Sequence, residues 1–157
     1  GIETVSLRIF NAYGPGQHNP PVHAPVIPYF LRQASQNGTI VVHGDGNQTR
    51  DYVYVDDAIY AMLAAATAPN VNQRVINIGS GQETSVRDLA RLVREITGGN
   101  PEIVYNTRNE GGLSRLCADI SLARQLLGYQ PTMSLENGLR QTYERDPRLH
   151  KESAFSG

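Results

Sequence analysis

The sequence predicts an α/β fold with at least some parallel strand pairing, from three observations. Short β-branched runs are separated by segments in which apolar residues recur at helical spacing, those segments end at glycine, Asn-Gly or proline stops, and no repeat period or coiled-coil heptad competes with this order. The elements run strand, helix, strands, helix, strand, helix, strand, helix, helix. Strands this short require neighbours on a larger sheet.

From Thr4 to Phe10 the chain alternates Val5, Leu7 and Ile9 against Thr4, Ser6 and Arg8, which is a strand beginning almost at residue 1. Proline and glycine then crowd Asn11 to His23, a surface loop of the kind that lines active sites. His18 and His23 have no acidic or thiol partner at a metal-ligand spacing, so no metal site is expected. Val26, Ile27, Phe30, Leu31 and Ala34 repeat at helical spacing up to Asn37-Gly38, with Pro25 and Pro28 tolerated in the first turn. Ile40 to Val42 is a short strand.

Asp56 or Asp57 is expected to cap a helix that turns Ile59, Met62, Leu63 and Ala66 inward and ends before Pro69. A capping position explains this acidic pair better than acid/base chemistry does. Arg74 to Ile78 is a strand, and Gly79-Ser80-Gly81 after it could receive phosphate, although the three-glycine dinucleotide spacing is missing. Ser85 and Asp88 form an aspartate variant of the capping box, ahead of the stripe Val86, Leu89, Ala90, Val93 and Ile96 and the stop Gly98-Gly99. After the strand Ile103 to Tyr105 comes a second arginine-bearing loop, Arg108 to Gly112, followed by Arg115. Asp119 caps a helix carrying Leu122, Ala123, Leu126 and Leu127 and closing at Gly128; Ser134 opens the last helix, with Leu135, Leu139 and Tyr143 inward. Residues 147–157 read as a mobile tail.

At 157 residues the chain has room for one domain with a real core, and its net charge of −1 exerts no pull toward nucleic acid or anionic membrane. Of the 14 basic residues only Lys151 is a lysine, so Schiff-base chemistry is disfavoured while arginines are available for phosphate or carboxylate. The single cysteine, Cys117, allows no intrachain disulfide and reads as a small buried hydrophobe. No apolar run is long enough to span a membrane and no leader is recognisable, so a cytoplasmic protein with no membrane or nucleic-acid partner is expected.

The rest of the chain is organised around Val41 to Asp57. Gly44 and Gly46 bracket Asp45 in a turn, and Arg50 then presents a planar fork of donors suited to carboxylate or phosphate, with Asp51, or another acid, as its internal competitor in a purely structural pair. Tyr52 and Tyr54 alternate with Val53 and Val55, placing the tyrosines on one strand face and the valines on the other.

Leu7-Arg8-Ile9-Phe10-Asn11-Ala12-Tyr13-Gly14-Pro15, Gly44 to Asp57, Asn77-Ile78-Gly79 with Ser85, Ala118-Asp119 and Leu127-Gly128-Tyr129-Gln130-Pro131 resemble, in this succession, nucleotide-sugar epimerases and dehydratases of the extended short-chain dehydrogenase/reductase family. The match is to the C-terminal half of such enzymes and covers the chain to about residue 146. It implies Rossmann-like sheet remnants plus a small substrate-binding α/β domain over residues 1–146, completing an upstream NAD-binding domain. The family's glycine fingerprint and Tyr-x-x-x-Lys pair do not occur in this sequence, so the chain looks like a fragment with no catalytic residues of its own and with NAD bound mainly upstream.

By the same resemblance Asn11 touches the substrate diphosphate and Phe10 lies beside the nicotinamide. Val41 and His43 flank the nucleobase, Arg50 and Arg108 contact the phosphates, and Tyr52 lies near ribose or phosphate. The family's Arg-x-x-Gly-Asp is Arg108-Asn109-Glu110-Gly111-Gly112 here, so the expected acid is lost and Arg115 could share or replace the role of Arg108. The resemblance favours a UDP-sugar 4-epimerase, with a 4,6-dehydratase, a decarboxylase or a non-catalytic ligand-binding or association fragment as alternatives. Exposed strand edges would favour self-association.

Overall fold

A computed structural model of the chain describes residues 1–20, 24–108 and 112–150. His23, the loop positions Asn109 to Gly111 and the tail from 151 onward lie outside the described residues. In chain order the strands are β1 Val5–Ile9, β2 Ala12–Tyr13, β3 Thr39–His43, β4 Thr49–Arg50, β5 Val53–Tyr54, β6 Arg74–Ile78, β7 Thr84–Ser85, β8 Glu102–Asn106 and β9 Arg115–Leu116. The helices are α1 Val26–Ser35, α2 Val55–Thr67, α3 Val86–Thr97, α4 Ser121–Leu127 and α5 Leu135–Arg145. Each predicted strand and helix is present; the short strands β2, β4, β7 and β9 are too brief to leave a period in the sequence.

The described chain divides into two units, each assembled from segments distant in sequence. The first comprises Gly1–Ala12, Thr49–Thr84 and Arg115–Leu135. In it β1 and β6 run parallel, with Val5 opposite Arg74 and Ile9 opposite Ile78, and the backbone of Phe10 extends the pairing by donating to Ile78 at 2.8 Å. Helices α2 and α4 contribute to one core of Ala61, Ala65, Ile76, Ile78, Ala118, Ala123, Leu127 and Tyr129. A second parallel pair, β4 with β9, sets Thr49 opposite Arg115 and Arg50 opposite Leu116.

Helix α2 departs from the predicted face. It buries Ala58, Ala61 and Ala65, while Ile59, Met62 and Leu63 are 47%, 52% and 66% exposed and Ala66 is exposed as well. Small side chains let the helix backbone approach its neighbours closely, and close packing outweighs side-chain hydrophobicity in choosing the face. The capping expectation also changes. The helix begins at Val55, so Asp56 and Asp57 stand inside its first turn, and Asp57 is buried, accepting from Thr132 N, Thr132 Oγ1 and Met133 N at 3.0, 2.9 and 3.1 Å. The tyrosine–valine alternation is likewise lost, because Tyr52, Val53 and Tyr54 are all buried and Val55 is already helical.

The second unit comprises Tyr13–Gln48, Ser85–Ser114 and Glu136–Gly157. Here β3 and β8 run parallel from Thr39 opposite Glu102 to His43 opposite Asn106, and the backbone N–H of Gly44 donates to Asn106 at 2.9 Å. Helices α1 and α3 pack on β3 and on each other, burying Ile27, Phe30, Leu31 and Ala34 from one and Val86, Leu89, Ala90 and Val93 from the other. Ser85 caps α3 as expected: its Oγ accepts from Asp88 N at 3.0 Å, while the Asp88 carboxylate accepts from the Ser85 hydroxyl at 2.6 Å, and Gly98 ends the helix at φ 64°.

Pro147 to Leu149, where the sequence predicts the start of a tail, form a turn of 3-10 helix. Asp146 accepts from Gly16 N at 3.1 Å and from Arg148, whose guanidinium also reaches the Gln17 carbonyl at 2.9 Å. The predicted architecture of sheet remnants beside a small substrate domain is therefore corrected. Parallel α/β pairing occurs in both units, through β1–β6 and β3–β8, and is not confined to remnants at one end.

Candidate functional site

In the first unit the residues predicted to meet substrate gather around Asp51. Its backbone N–H continues the β4–β9 pairing by donating to Leu116 at 2.9 Å, which carries the side chain into the interior. A buried carboxylate requires donors. Asp51, 0% exposed, finds them in Ser80 N and Ser80 Oγ, both at 2.7 Å, Gly81 N at 2.9 Å and Ala118 N at 3.1 Å. The Gly79-Ser80-Gly81 turn is thus an anion cradle already filled by the chain's own carboxylate, in place of the phosphate such a turn could receive.

Glycine is required at 79, where an added Cβ would stand 2.6 Å from both Ala118 Cβ and Asp51 Oδ2. Tyr129, whose hydroxyl donates to the Gly79 carbonyl at 2.9 Å, closes the back of the turn, and burial pushes its phenol above the ordinary range. Sequence reasoning missed Ser80, Gly81 and Ala118 as partners of Asp51. The available signal was an acid leaving one short strand and a Gly-Ser-Gly turn leaving another, with no other anion nearby to fill the turn.

Around this hub, Asn11 is exposed and its side-chain amide donates to the Asp51 carbonyl at 2.8 Å. Arg50 is half-buried and donates to the Thr49 carbonyl at 2.7 Å, and since the Asp51 oxygens face Ser80, Gly81 and Ala118, the expected internal competitor is directed elsewhere. Phe10 is half-buried against the core. Tyr52 is only 5% exposed and its hydroxyl is enclosed without a hydrogen-bond partner among the described residues; burial pushes its pKa up to about 12, against an opposing effect of the Arg50 charge.

Arg115 is engaged with Glu83, its Nε at 2.6 Å and a terminal nitrogen closer still, while Thr49 Oγ1 donates to the same carboxylate at 2.9 Å. The Arg115 and Thr49 hydrogen bonds hold the Glu83 carboxyl below its usual range, so Arg115 already has an internal anion. Cys117 is half-buried with its Sγ 4.0 Å from Asp51 Oδ2; burial and then the Asp51 charge push its thiol up, away from nucleophilic use.

In the second unit the turn after β3 takes the form its glycines allow. Gly44 and Gly46 adopt φ of 73° and 77°, and the Asp45 carboxylate accepts from Asn47 N at 2.9 Å and Asn47 Nδ2 at 2.7 Å, which holds its pKa down. Strand alternation puts Val41 and His43 on one face of the β3–β8 pair, with Val42 and Tyr105 on the other. His43 is exposed, and its carbonyl accepts from Gln48 Nε2 at 2.7 Å. Arg108 is exposed, its backbone tied to Asn106 Oδ1 at 3.2 Å.

Among the described residues no group of His, Cys, Asp and Glu is arranged to hold a metal ion, and no helix is long and apolar enough to cross a membrane. For a dinucleotide the first unit offers the half-buried ring of Phe10 as an apolar surface, whereas its glycine turn, occupied by Asp51, does not fit a pyrophosphate.

The model of the NAD dependent epimerase/dehydratase family matches residues 1–79. The chain is 34% identical over 150 residues to the UDP-N-acetyl-alpha-D-glucosaminuronate decarboxylase of Bacillus cytotoxicus, covering 92% of this chain and 46% of that protein. It aligns with the crystal structure of UDP-glucose 4-epimerase with UDP-glucose from Thermotoga maritima at a TM-score of 0.85 and 38% identity, covering 92% of this chain and 46% of that one. With UDP-glucuronic acid 4-epimerase from Bacillus cereus, in complex with UDP-glucuronic acid and NAD, the TM-score is 0.82 and the identity 34%, over 92% and 45% of the two chains.

The chain spans about half the length or less of the curated relatives it matches, 44%, 46% and 33% for three of them. Two expectations are corrected here. The family model matches the first half of this chain, which supports membership at the level of the family and not the narrower assignment to a C-terminal half. Solved structures that contain NAD align over 92% of this chain, which overturns the expectation that NAD is bound mainly in a portion upstream of it.

Proposed function

The chain belongs to the NAD dependent epimerase/dehydratase family, and on that premise we propose that it is the substrate-binding part of a UDP-sugar 4-epimerase. The observation that carries this reading is the Arg50-Asp51 arrangement: Asp51 locks the strand end by accepting from Ser80, Gly81 and Ala118, and Arg50 is fixed on that locked strand. A guanidinium on rigid backbone is suited to a diphosphate, and pre-set orientation is what binding energy must supply for the sugar to react.

In this reading Arg50 and Arg108 each contact phosphate, Asn11 lies at the diphosphate, Val41 and His43 flank the uracil, Tyr52 backs the ribose side as a packed ring, and Phe10 lies at the nicotinamide. All fall within residues 1–146. NAD, when bound, supplies the oxidation and re-reduction at the sugar C4. The 157-residue chain contains no Tyr-x-x-x-Lys, so alone it binds substrate without turnover. Reduction of NAD by the purified chain with UDP-glucose, free of any contaminating epimerase, would contradict this.

A titration of the chain with UDP-, dTDP- and GDP-sugars tests the ligand class directly. Preference for UDP-sugars is expected, and equal or absent binding of all of them would overturn the reading. A nucleotide-sugar decarboxylase is the second reading, favoured by the Bacillus cytotoxicus relative. The apolar side chains left exposed on α2, Ile59, Met62 and Leu63, support self-association of the chain, and a concentration-independent monomer in sedimentation would count against it.

A further inference from the structure

The second unit carries a cleft of about 390 Å³ lined by Asp45, Arg87, Arg91, Tyr105 and Thr107 that the substrate reading does not use. It lies on the Val42–Tyr105 side of the β3–β8 pair, opposite the face that Val41 and His43 present, because residues in register share a face and successive residues alternate. We propose that this cleft is a second, independent binding site for a phosphomonoester.

Arg87 is one of two arginines in the lining. Its guanidinium lies over the Tyr105 ring, 5.7 Å from the centroid, and a terminal nitrogen donates to the Asp45 carbonyl at 2.7 Å, so its orientation is set before any ligand arrives. Gly46 sharpens this fit, since a Cβ there would stand 3.1 Å from Arg87 Cβ, Tyr105 Cε1 and Val42 Cγ1. No carboxylate lies within ion-pair distance of Arg87 among the described residues, and its Nε is enclosed without an acceptor. Among the described residues the group is therefore a fixed cation that donates to a neutral carbonyl.

Arg91 stands one helical turn further along α3 on the same side, with a single loose ion pair to Asp88 at 3.5 Å. The Asp45 carboxylate, the acid in the lining, is turned back on Asn47, whose backbone and side chain occupy both of its oxygens. Two guanidiniums, one of them immobilised, with Thr107 in the same lining, match the charge and acceptor count of a phosphate monoester, and the Tyr105 ring offers a flat surface for the body that carries it.

The test is a titration of the chain with inorganic phosphate and with UMP, followed by the amide resonances of Tyr105 and Thr107. Wild type is expected to shift both resonances, and Arg87→Gln with Arg91→Gln to weaken the effect at least about tenfold while leaving UDP-glucose binding intact. Tighter binding of UMP than of phosphate would identify a carried monoester, and equal binding a site for the phosphate group alone; either supports the site. Should Arg87→Gln fail to fold, the exposed Arg91→Gln variant is read by itself. No shift at about 10 mM ligand, a shift untouched by the arginine variants, or one abolished by Arg50→Ala would overturn the proposal. Because the readout is separate from UDP-glucose binding, failure here leaves the substrate reading standing.

Discussion

Ser80 donates twice to one carboxylate oxygen of Asp51, from its backbone N–H and from its hydroxyl, each at 2.7 Å. Gly81 and Ala118 complete the set, so the acid that follows Arg50 is an internal tie between the strand end and the turn after β6. Asp51→Ala leaves those buried donors unmatched at about 1–3 kcal/mol each. Urea unfolding is expected to show a loss of at least about 3 kcal/mol. A loss below about 1 kcal/mol would show that these contacts do not hold the turn.

The neighbouring Tyr52 predicts the opposite sign. Its hydroxyl is enclosed without a partner among the described residues, and removing an unsatisfied polar group relieves desolvation while keeping the ring. Tyr52→Phe is expected to leave stability unchanged or raise it by up to about 1 kcal/mol. A clear drop in the unfolding midpoint would mean the hydroxyl has a partner.

Where one kind of evidence sufficed, the sequence was readable. The Ser85 cap, the Gly98 stop and most of the buried stripes of α1 and α3 follow from local chemistry and formed as read, while Val26 and Ile96, at the ends of those stripes, are only half-buried. Helix α2 was misread because its alanines and its larger apolar residues both fit helical spacing, and only the distance between helix and core decides which set faces inward. Asp51, weighed as an internal competitor for Arg50, is directed away from it because successive residues on extended chain point apart, and its partners Ser80 and Ala118, 29 and 67 residues away, were not legible. The strands read at 4–10, 40–42 and 74–78 are present to within a residue at each end, but that parallel pairing recurs in both units was not legible.

That corrected face of α2 yields a paired prediction. Ala61, 0% exposed, has no room to grow, so Ala61→Leu is expected to cost about 1–3 kcal/mol. Leu63, 66% exposed, tolerates Leu63→Ser within about 0.5 kcal/mol in thermal unfolding of the monomer. The reverse ordering of these two variants would restore the face read from the sequence.

Asp146 predicts a dependence on acid. Hydrogen bonds from Arg148, and to a lesser degree from Gly16, depress its carboxyl to about 2, against about 3.9 for a free aspartate. A depressed folded-state value contributes stability that is fully present above the unfolded pKa and is lost as pH falls from about 4 to about 2. Asp146→Asn is expected to be less stable than wild type at neutral pH, with the gap closing across that interval. A gap that stays constant down to pH of about 2 would remove the assigned role.

The central claim is that Arg50, fixed on a strand end locked by Asp51, holds the diphosphate of a UDP-sugar. Its most direct measurement is a calorimetric titration of UDP-glucose into wild type, Arg50→Lys and Arg50→Ala, with unfolding midpoints recorded alongside. Affinity is expected to fall about 10- to 100-fold in Arg50→Ala and partly in Arg50→Lys, because a charge-assisted bidentate contact is lost, while the midpoints fall by no more than loss of the Arg50 hydrogen bond to the Thr49 carbonyl implies, about 1 kcal/mol. Equal affinity in all three proteins would contradict it.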